Sequence, residues 1–481
     1  MNGYPEPVPL DTLSPISRQS DMVKKILLIS YHFPPSTEVG GLRAANFARQ
    51  LPRFGWDPSV LTLKDHYLEK VDLEKLKYVG PVKIFKAGRT PTLSPVYVGI
   101  KRIAQRLFRQ SNTPASISES SSRPGIPAGR MAETVSQKLR RYILSFLSLP
   151  DEQRNWMWPA VIRAVRIIWR EKIDCIMTSS PPYSVHLVGW LVKCMTGVQW
   201  IADFRDPWMT GGSKRLYFTC AASLGIERWL EWRVVQKADL VVANTAMLCE
   251  VFRKAYGSRL PDRFVCITNG FDGEFFSSFG HVEKDRVFTI IYTGTLYFGR
   301  TPEPVFQAVH ELIQEDRIDA QAIRIRLVGQ CRVINGRPIE EIIHGYQLNG
   351  VVEVLESVSY IRAIEMVKQS HLALLLAPNQ PYQIPAKAYD YMGTGTKILA
   401  LAEEGATSDL IHSAAAGAVF SPSDTAGIKE FICQSMNQTG DPGRKATNSV
   451  GVYCDIRSLT RRLAEHLDRL SGNSGGTINA K

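Results

Sequence analysis

Residues 24–63 read KKILLISYHFPPSTEVGGLRAANFARQLPRFGWDPSVLTL, and this stretch sets the fold class. It opens with a short apolar run of strand length, residues 24–30. Residues 42–54 then repeat apolar side chains at helical spacing, and residues 58–63 are a second apolar run. A strand, a helix and a strand in this order are typical of a parallel sheet. The stretch therefore predicts an α/β fold.

The same alternation continues along the chain in two series. The first predicts further strands at residues 175–178, 199–202, 240–243 and 264–268, and the second at 288–293, 323–328, 351–355, 372–376 and 397–402. Each series begins with a strand, a glycine-containing loop and a helix, which is how a doubly wound domain begins. We therefore predict an α/β protein with two doubly wound Rossmann-like domains that face a central cleft.

Composition changes give the predicted domain boundaries, with the first domain at residues 22–275 and the second at 276–457. Residues 1–21 lack the charged start, apolar middle and cleavage site of a signal peptide, so we expect a flexible leader. Residues 111–129 are rich in Ser, Pro and Gly and predict a disordered insertion. A disordered tail is expected at residues 471–481.

Length and composition fit a protein with more than one core. The chain has 481 residues, 44% of them hydrophobic and 22% charged, as in globular proteins. No apolar run approaches the ~18 residues of a membrane-spanning helix. The eight cysteines include no CxxC pair, so we expect free thiols in a reducing compartment and no metal site. These features predict a cytoplasmic protein.

One segment holds much of the net charge of +12. Residues 94–141 carry nine Lys or Arg against two Glu, a net +7, and residues 94–110 predict a basic amphipathic helix. Within it, residues 96–110 place apolar side chains on one face and Lys101, Arg102, Arg106 and Arg109 on the other. This pattern favours binding to an anionic membrane surface. The alternative is an ordinary helix on the core, and no nucleic-acid motif accompanies the charge.

The strand predicted at residues 199–202 runs directly into Asp203, Arg205 and Asp206. Open α/β sheets place their chemistry at such strand ends, so these three residues are the candidate catalytic group. The alternative is a structural Arg–Asp turn closed by Pro207, because ion-pair networks also gather at strand ends.

Glycines and cations follow the first strand of each series. Gly40 and Gly41 open a helix, where backbone N–H groups can approach an anion, although a simple turn explains two glycines equally well. Gly294 and Arg300 follow the strand at residues 288–293, and a guanidinium beside a glycine loop suits a diphosphate. The alternative for Arg300 is a surface position.

Two further polar pairs are candidates. Lys387 and Asp390 lie three residues apart in a predicted helix and so share one face, where they could bind phosphate and a ribose diol or simply pair with each other. Ser180 and His186 flank the start of another helix and are candidate cleft or acceptor residues. A helix cap and a packed histidine are the alternatives.

Eight ordered blocks together resemble the GT-B glycosyltransferases, most of all the retaining family 4 of sugar-nucleotide-dependent transferases. They lie at residues 31–35 with 40–43, 149–151 with 158–160, 179–182, 203–208, 238–240 with 244–245, 269–272, 292–295, and 385–387 with 389–391. The resemblance covers roughly residues 24–411. It implies a first domain that binds the acceptor, a second that binds the nucleotide sugar, and a helix near 458–470 that crosses back onto the first domain.

The resemblance also implies roles for the candidate residues. Gly40 and Gly41 would line the diphosphate side of the cleft, Arg300 and Lys387 would stabilise the leaving diphosphate, and Asp390 would bind the ribose. The chain departs from the family because Tyr382 and Asp390 stand where the family has a Glu-x7-Glu pair, and because Val305 stands where a lysine usually follows the arginine. These departures fit a divergent branch of bacterial polysaccharide-assembly transferases.

The predicted function is therefore transfer of a sugar from a UDP- or GDP-linked donor to a lipid-linked or polysaccharide acceptor, with retention. The enzyme would work peripherally at the cytoplasmic membrane face. No DxD motif follows a strand, so no cofactor and no obligatory metal are expected. The alternatives are a non-catalytic component of a polysaccharide assembly system and a GT-B-like sugar-nucleotide 2-epimerase.

Overall fold

The computed structural model describes residues 23–90, 142, 145–146, 149–210, 220–257, 261–296, 299–438 and 454–473. These residues form two parallel sheets, each flanked by helices, and one short antiparallel hairpin. The predicted α/β class with two doubly wound domains is confirmed. The leader, the basic helix at 94–110 and the insertion at 111–129 lie outside the described residues. Among the described helices, none is long and apolar enough to cross a membrane.

The first domain is built on a seven-stranded sheet in the order β3-β2-β1-β4-β5-β6-β7. Its strands are β1 (Lys24–Ile29), β2 (Trp56–Leu63), β3 (Lys83–Ala87), β4 (Cys175–Ser180), β5 (Gln199–Phe204), β6 (Leu240–Ala243) and β7 (Phe264–Cys266). Its helices are α1 (Leu42–Gln50), α2 (Leu73–Val79), α3 (Met157–Glu171), α4 (Ser184–Thr196), α5 (Ala221–Lys237) and α6 (Ala246–Tyr256). Strand β4 is buried along its whole length, as expected for a parallel strand covered on both faces.

The second domain has a six-stranded sheet in the order β12-β9-β8-β13-β14-β15, with the hairpin β10–β11 beside it. Its strands are β8 (Phe288–Thr293), β9 (Ile323–Val328), β10 (Val333–Ile334), β11 (Arg337–Pro338), β12 (Val352–Leu355), β13 (Leu372–Ala377), β14 (Lys397–Ala402) and β15 (Gly417–Phe420). The remaining helices are α7 (Gly273–Ser278), α8 (Glu303–Gln314), α9 (Ile339–Gly345), α10 (Tyr360–Gln369), α11 (Ala386–Thr394), α12 (Ala406–Ser413), α13 (Thr425–Asn437) and α14 (Ile456–Asn473).

The last helix, α14, packs on the first domain. Its residues Leu459, Leu463 and Leu467 are fully buried in a core cluster that also contains Ile26 and Trp56. Leu459 is four residues before Leu463, and Leu467 four residues after it, so all three lie on one face of the helix. The helix extends to Asn473, into the region where a disordered tail was expected.

Helix α1 is shorter than the apolar spacing predicts. It ends at Gln50, and residues 51–54 continue as a tighter 3-10 turn with Pro52 near its start. Proline has no backbone N–H and clashes with the preceding helical turn, so the α-helix cannot continue through it. Gly55 then adopts a left-handed conformation with φ of 82° and turns the chain into β2.

Candidate active site

The carboxyl ends of the two sheets meet at a junction between the domains. A loop that follows β13, residues 378–385, reaches the first domain there. Thr245 Oγ1 donates a hydrogen bond to the carbonyl of Tyr382 at 2.9 Å, and Gln383 Nε2 donates one to the Asp206 carboxylate at 2.6 Å. The Tyr382 ring packs against the first-domain core. Asp206 therefore lies where the two domains touch.

Asp203 is fully buried, and its carboxylate is held by two side chains. Arg43 Nη2 donates to Oδ1 at 2.8 Å, Arg43 Nε donates to Oδ2 at 2.9 Å, and Ser179 Oγ donates to Oδ2 at 2.7 Å. The same guanidinium donates to the carbonyls of Ile267 and Thr268, each at 2.7 Å. Asp203 thus ties β5 to the chain that leaves β7, which is the geometry of a structural ion pair.

Arg205 is also buried, but its guanidinium lies against the glycine loop. Its Nε donates to the Ser180 carbonyl at 3.1 Å and its Nη2 to the Pro181 carbonyl. A Cβ atom at Gly40 would lie 2.7 Å from Arg205 Nη1, so a larger residue there would force the guanidinium to shift. Burial lowers the pKa of Arg205 below its usual value, and the nearby carboxylates of Asp206 and Asp203 oppose that change.

His32 lies beside this cation, in the loop after β1. Burial and the positive charge of Arg205 lower the pKa of His32 to about 4, so the imidazole is neutral at pH 7. The backbone of His32 and Phe33 packs against Gly41, where an added Cβ would lie 2.9 Å from Phe33 Cα. The close approach of these two loops explains the second glycine.

Lys387 lies over the glycine loop of the second domain. Its Nζ donates to the Thr293 carbonyl at 2.6 Å and lies 3.9 Å from the centre of the Tyr292 ring. A Cβ at Gly294 would lie 2.8 Å from the same nitrogen, and the φ of Gly294, 123°, also requires glycine. Burial and the nearby charge of Arg300 lower the pKa of Lys387 to about 7.

Arg300 places a second positive charge next to Lys387. It is buried, and its Nη2 donates to the Gln380 side-chain oxygen at 3.1 Å. Among the described residues, no carboxylate forms an ion pair with Lys387. Two like charges held together beside a glycine loop repel each other, and an anion bound between them would relieve that repulsion.

Asp390 is one helical turn after Lys387 on α11. It accepts a hydrogen bond from the Tyr360 hydroxyl at 2.7 Å, and burial raises its pKa to about 6 although this bond opposes the rise. Lys75 of α2, in the first domain, adds a positive charge on the same side of the junction. Tyr391 points into the sheet instead and contacts Thr293 through its hydroxyl.

The structure does not support the prediction that His186 lines the cleft. His186 is fully buried in the first-domain core, and its Nδ1 lies 2.8 Å from Thr178 Oγ1. Trp200 Nε1 donates to the same hydroxyl at 2.8 Å, and that hydroxyl donates to the Ile201 carbonyl at 3.4 Å. Burial lowers the pKa of His186 to about 3. Ser180 is equally buried and contributes its backbone carbonyl, which Arg205 contacts, to the site.

The predicted residues thus form several small groups around one junction. Gly40 lies with Arg205, and Gly294 lies with Lys387 and Arg300, while Asp203 is separated from the cleft by its ion pair. Sequence reasoning missed His32, Arg43, Tyr360 and Gln383, which complete these groups. Only Arg43 had a local signal, because it lies four residues before Phe47 and so shares the buried face of α1.

Known proteins share the fold described above. Residues 40–270 match the family model of the glycosyl transferase 4-like domain. No curated protein matches the chain by sequence. The HepE protein of Anabaena, solved with UDP and glucose, is similar in structure with a TM-score of 0.59 and 14% identity, over 93% of this chain and 100% of that chain.

Two other solved structures have the same architecture. The lipopolysaccharide outer core galactosyltransferase WaaB has a TM-score of 0.54 and 9% identity, over 92% of this chain and 99% of that chain. Sucrose-phosphate synthase from Thermosynechococcus elongatus has a TM-score of 0.51 and 15% identity, over 94% and 97%. At these identities the likeness concerns the fold. Residues 40–270 therefore resemble the glycosyl transferase 4-like domain, and the two-domain architecture is the GT-B fold.

Proposed function

We propose that this chain transfers a sugar, with retention, from a nucleotide-sugar donor to a lipid-linked or polysaccharide acceptor. The observation that carries the proposal is the pair of cations at the second-domain glycine loop. The charge of Arg300 lowers the pKa of Lys387, and the Lys387 ammonium lies directly over Gly294, so an anion bound at this loop would favour the charged ammonium. A diphosphate has the charge and the oxygen geometry that this pair fits.

The cations would act on the leaving group. Cleavage of a glycosyl–phosphate bond leaves negative charge on the departing diphosphate, and preorganised positive charge stabilises that state more than the ground state. Gly294 keeps the Lys387 ammonium close to the loop backbone, so that phosphate oxygens can approach both. Asp390, held by Tyr360, would accept hydrogen bonds from the ribose hydroxyls.

The first domain would supply the other side of the cleft. Arg205 and Asp206 are the remaining candidates for direct contact with the reacting groups, because Asp203 is held in the ion pair with Arg43. The Gly40 loop lies on Arg205 and would let backbone N–H groups reach the diphosphate. In a retaining transfer without a protein nucleophile, the departing phosphate oxygen would take the proton of the acceptor hydroxyl.

The proposal includes three features that rest on sequence alone. We propose that no metal is obligatory, that the acceptor is lipid-linked or polysaccharide, and that the enzyme works peripherally at the cytoplasmic membrane face. Activity that persists in EDTA would support the first, and a requirement for added Mg²⁺ or Mn²⁺ would contradict it.

One observation favours a second candidate, a non-catalytic assembly component. Tyr382 stands where the family usually has a carboxylate, and in this chain its ring packs on the first-domain core. The adjacent Gln383–Asp206 contact also joins the two domains across the cleft. A protein that uses its fold for docking alone would tolerate both features.

Nucleotide binding separates these candidates. We would measure thermal shift and calorimetric binding with UDP, GDP and their common sugar conjugates, UDP first because HepE was solved with it. We expect one nucleotide to stabilise the protein and Lys387→Ala to abolish that effect. Lys284→Ala is the matched control and should leave nucleotide binding unchanged. Like Lys387, Lys284 donates to a backbone carbonyl, in this case that of Ser370 at 2.6 Å, and burial lowers its pKa, to about 8. A folded protein that binds none of these nucleotides would favour the docking component.

A further inference from the structure

The outer helical layer of the first domain exposes an unusual number of large apolar side chains. Helices α3, α4 and α5 pack side by side in this layer. Four tryptophans on it are exposed: Trp158 by 54% and Trp169 by 70% on α3, and Trp229 by 47% and Trp232 by 41% on α5. Ile162 on α3 and Met195 at the end of α4 are exposed as well. We call these six residues the aromatic face.

The aromatic face has helical regularity on α3. Trp158, Ile162 and Trp169 are separated by four and seven residues, so they form one stripe along the helix. A tryptophan in water leaves a large apolar area unburied, and contiguous apolar surface of this kind marks an interaction site. On α5, Trp229 meets Trp190 of α4 edge to face at 6.0 Å, which connects the two helices.

The charge around the aromatic face has one sign. On α3, Arg163, Arg166 and Arg170 are exposed beside the apolar stripe, and the single acidic residue, Glu171, pairs with Lys83 at 2.6 Å. On α5, the two glutamates point inward and are buried, while Arg228, Arg233 and Lys237 lie on the accessible side or its edge. The surface therefore complements a negatively charged partner with an apolar layer.

The buried glutamates of α5 have internal partners. Glu227 accepts from Trp208 Nε1 at 2.8 Å, and Glu231 accepts from the Tyr256 hydroxyl at 2.6 Å. These carboxylates face the interior, where Glu231 also accepts from Met209 N–H, so the charged residues on the accessible side of α5 are Arg and Lys. The one-signed charge of the aromatic face follows from this division.

The basic segment at residues 94–141 is the first occupant to consider. The described residues that flank it lie near the aromatic face, since Thr90 N–H donates to the Asn155 carbonyl just before α3 and Ser145 Oγ lies 3.1 Å from Cys220 Sγ just before α5. However, this segment carries a net charge of +7, so it would meet a surface of the same sign. A second copy of the chain would meet the same repulsion. The segment and the aromatic face instead share a preference for one anionic partner.

We propose that the aromatic face docks on an anionic lipid bilayer. Indole rings favour the interfacial layer of a membrane, where the ring is in an apolar environment and the N–H is near water. Arginines beside them would contact lipid phosphates, and the attraction would add to that of residues 94–110. Asp151, in the turn that leads into α3, accepts a hydrogen bond from Ser184 N–H at the start of α4 at 2.7 Å. Because α4 follows directly on the Ser180–Pro181 segment that Arg205 contacts, docking would hold the cleft close to lipid-linked molecules.

This inference deepens the proposed function, because it assigns the surface through which a lipid-linked acceptor would be reached. The test is vesicle flotation with the full-length chain, using phosphatidylcholine alone and phosphatidylcholine with phosphatidylglycerol. The aromatic variant is Trp158→Ser, Trp169→Ser and Trp232→Ser. The charge variant is Arg166→Gln with Arg170→Gln. The control is Val333→Ser with Ile361→Ser, two exposed apolar residues of the second domain.

We expect binding to anionic vesicles only, weakened at least about tenfold in both the aromatic and the charge variants and by added salt, and unchanged in the control. Equal binding by wild type and both variants overturns the proposal. So does complete loss on neutralising Lys101, Arg102, Arg106 and Arg109 alone, because those residues would then account for all of the attraction. Two further results would overturn the proposal. One is self-association of the chain that the aromatic variant abolishes, and the other is binding to single-stranded oligonucleotides in place of vesicles. UDP binding is measured separately, without vesicles, so that the two proposals are tested independently. A variant that still binds UDP but no longer floats with vesicles would leave the transferase proposal intact.

Discussion

Replacing Asp203 with Asn tests whether this carboxylate is structural or catalytic. The substitution keeps the shape of the side chain and removes its charge, which leaves the Arg43 guanidinium buried without its counter-ion. Breaking a buried ion pair by removing one partner costs about 3–5 kcal/mol. In a domain of this size, about 1 kcal/mol shifts Tm by roughly 2–4 °C, so we expect a loss of about 6–20 °C.

A double-mutant cycle isolates the pair. Arg43→Met removes the cation but also leaves the carbonyls of Ile267 and Thr268 without their donor, so this variant should be at least as unstable as Asp203→Asn. The double variant should be more stable than the sum of the two changes predicts, by about 1 kcal/mol or more, because no lone buried charge remains. Thermal unfolding followed by circular dichroism measures all four proteins.

Asp206→Asn is the matched control, since Asp206 lies at the same strand end but is partly exposed and has Gln383 as its partner. We expect it to change Tm by no more than a few degrees and to reduce sugar transfer. A structural role for Asp203 would be refuted if Asp203→Asn kept the wild-type Tm and lost transfer activity. The carboxylate would then act on the reacting groups, as the strand-end position first suggests.

Three further predictions concern the cleft. The affinity for a nucleoside diphosphate should fall above pH 7, by up to about tenfold per pH unit. The reason is that the free Lys387 ammonium has a pKa of about 7 and that a bound diphosphate would raise this pKa. Calorimetry from pH 7 to 9 should show this fall in affinity for the wild type and not for Lys387→Met. Gly40→Ala should lower kcat/KM about tenfold or more with a small change in Tm, because its Cβ would displace Arg205. Nucleotide binding should weaken at low pH as Asp390 is protonated, and Tyr360→Phe should move this loss to higher pH, because the Tyr360 hydrogen bond lowers the pKa of Asp390. An unchanged pH profile of binding would show that Asp390 does not contact the nucleotide.

The sequence is most informative about strands that are buried on both faces. Strands such as β8, β13 and β14 are continuous apolar runs, because helices cover both sides of a parallel sheet, and their positions are predicted to within about one residue. In the two described parallel sheets, the edge strands β7 and β12 were predicted, but the edge strands β3 and β15 lack this signal. β3 has the sequence KIFKA, with lysines that an edge tolerates, and β15 has four residues that begin with glycine. Neither was predicted.

The site could be predicted only where its residues are local in sequence. Lys387 and Asp390 share a helical turn, so their common face follows from spacing alone. The Arg43–Asp203 pair joins positions 160 residues apart, and nothing in either segment indicates the other. His186 shows the converse, because its local sequence leaves open a cleft position and a packed one, and tertiary packing buries it against Phe204, with ring centres 4.3 Å apart.

The packing of α14 constrains the order in which the chain can fold during its synthesis. Leu459, Leu463 and Leu467 complete the core around Ile26 and Trp56, so the first domain lacks part of its interior until the ribosome has made α14. Multidomain proteins generally fold their first domain first as it emerges. Here the second sheet can be complete while the first domain still exposes the apolar groove that α14 will fill. Residues 22–275 produced alone would keep that groove open to water and to other chains.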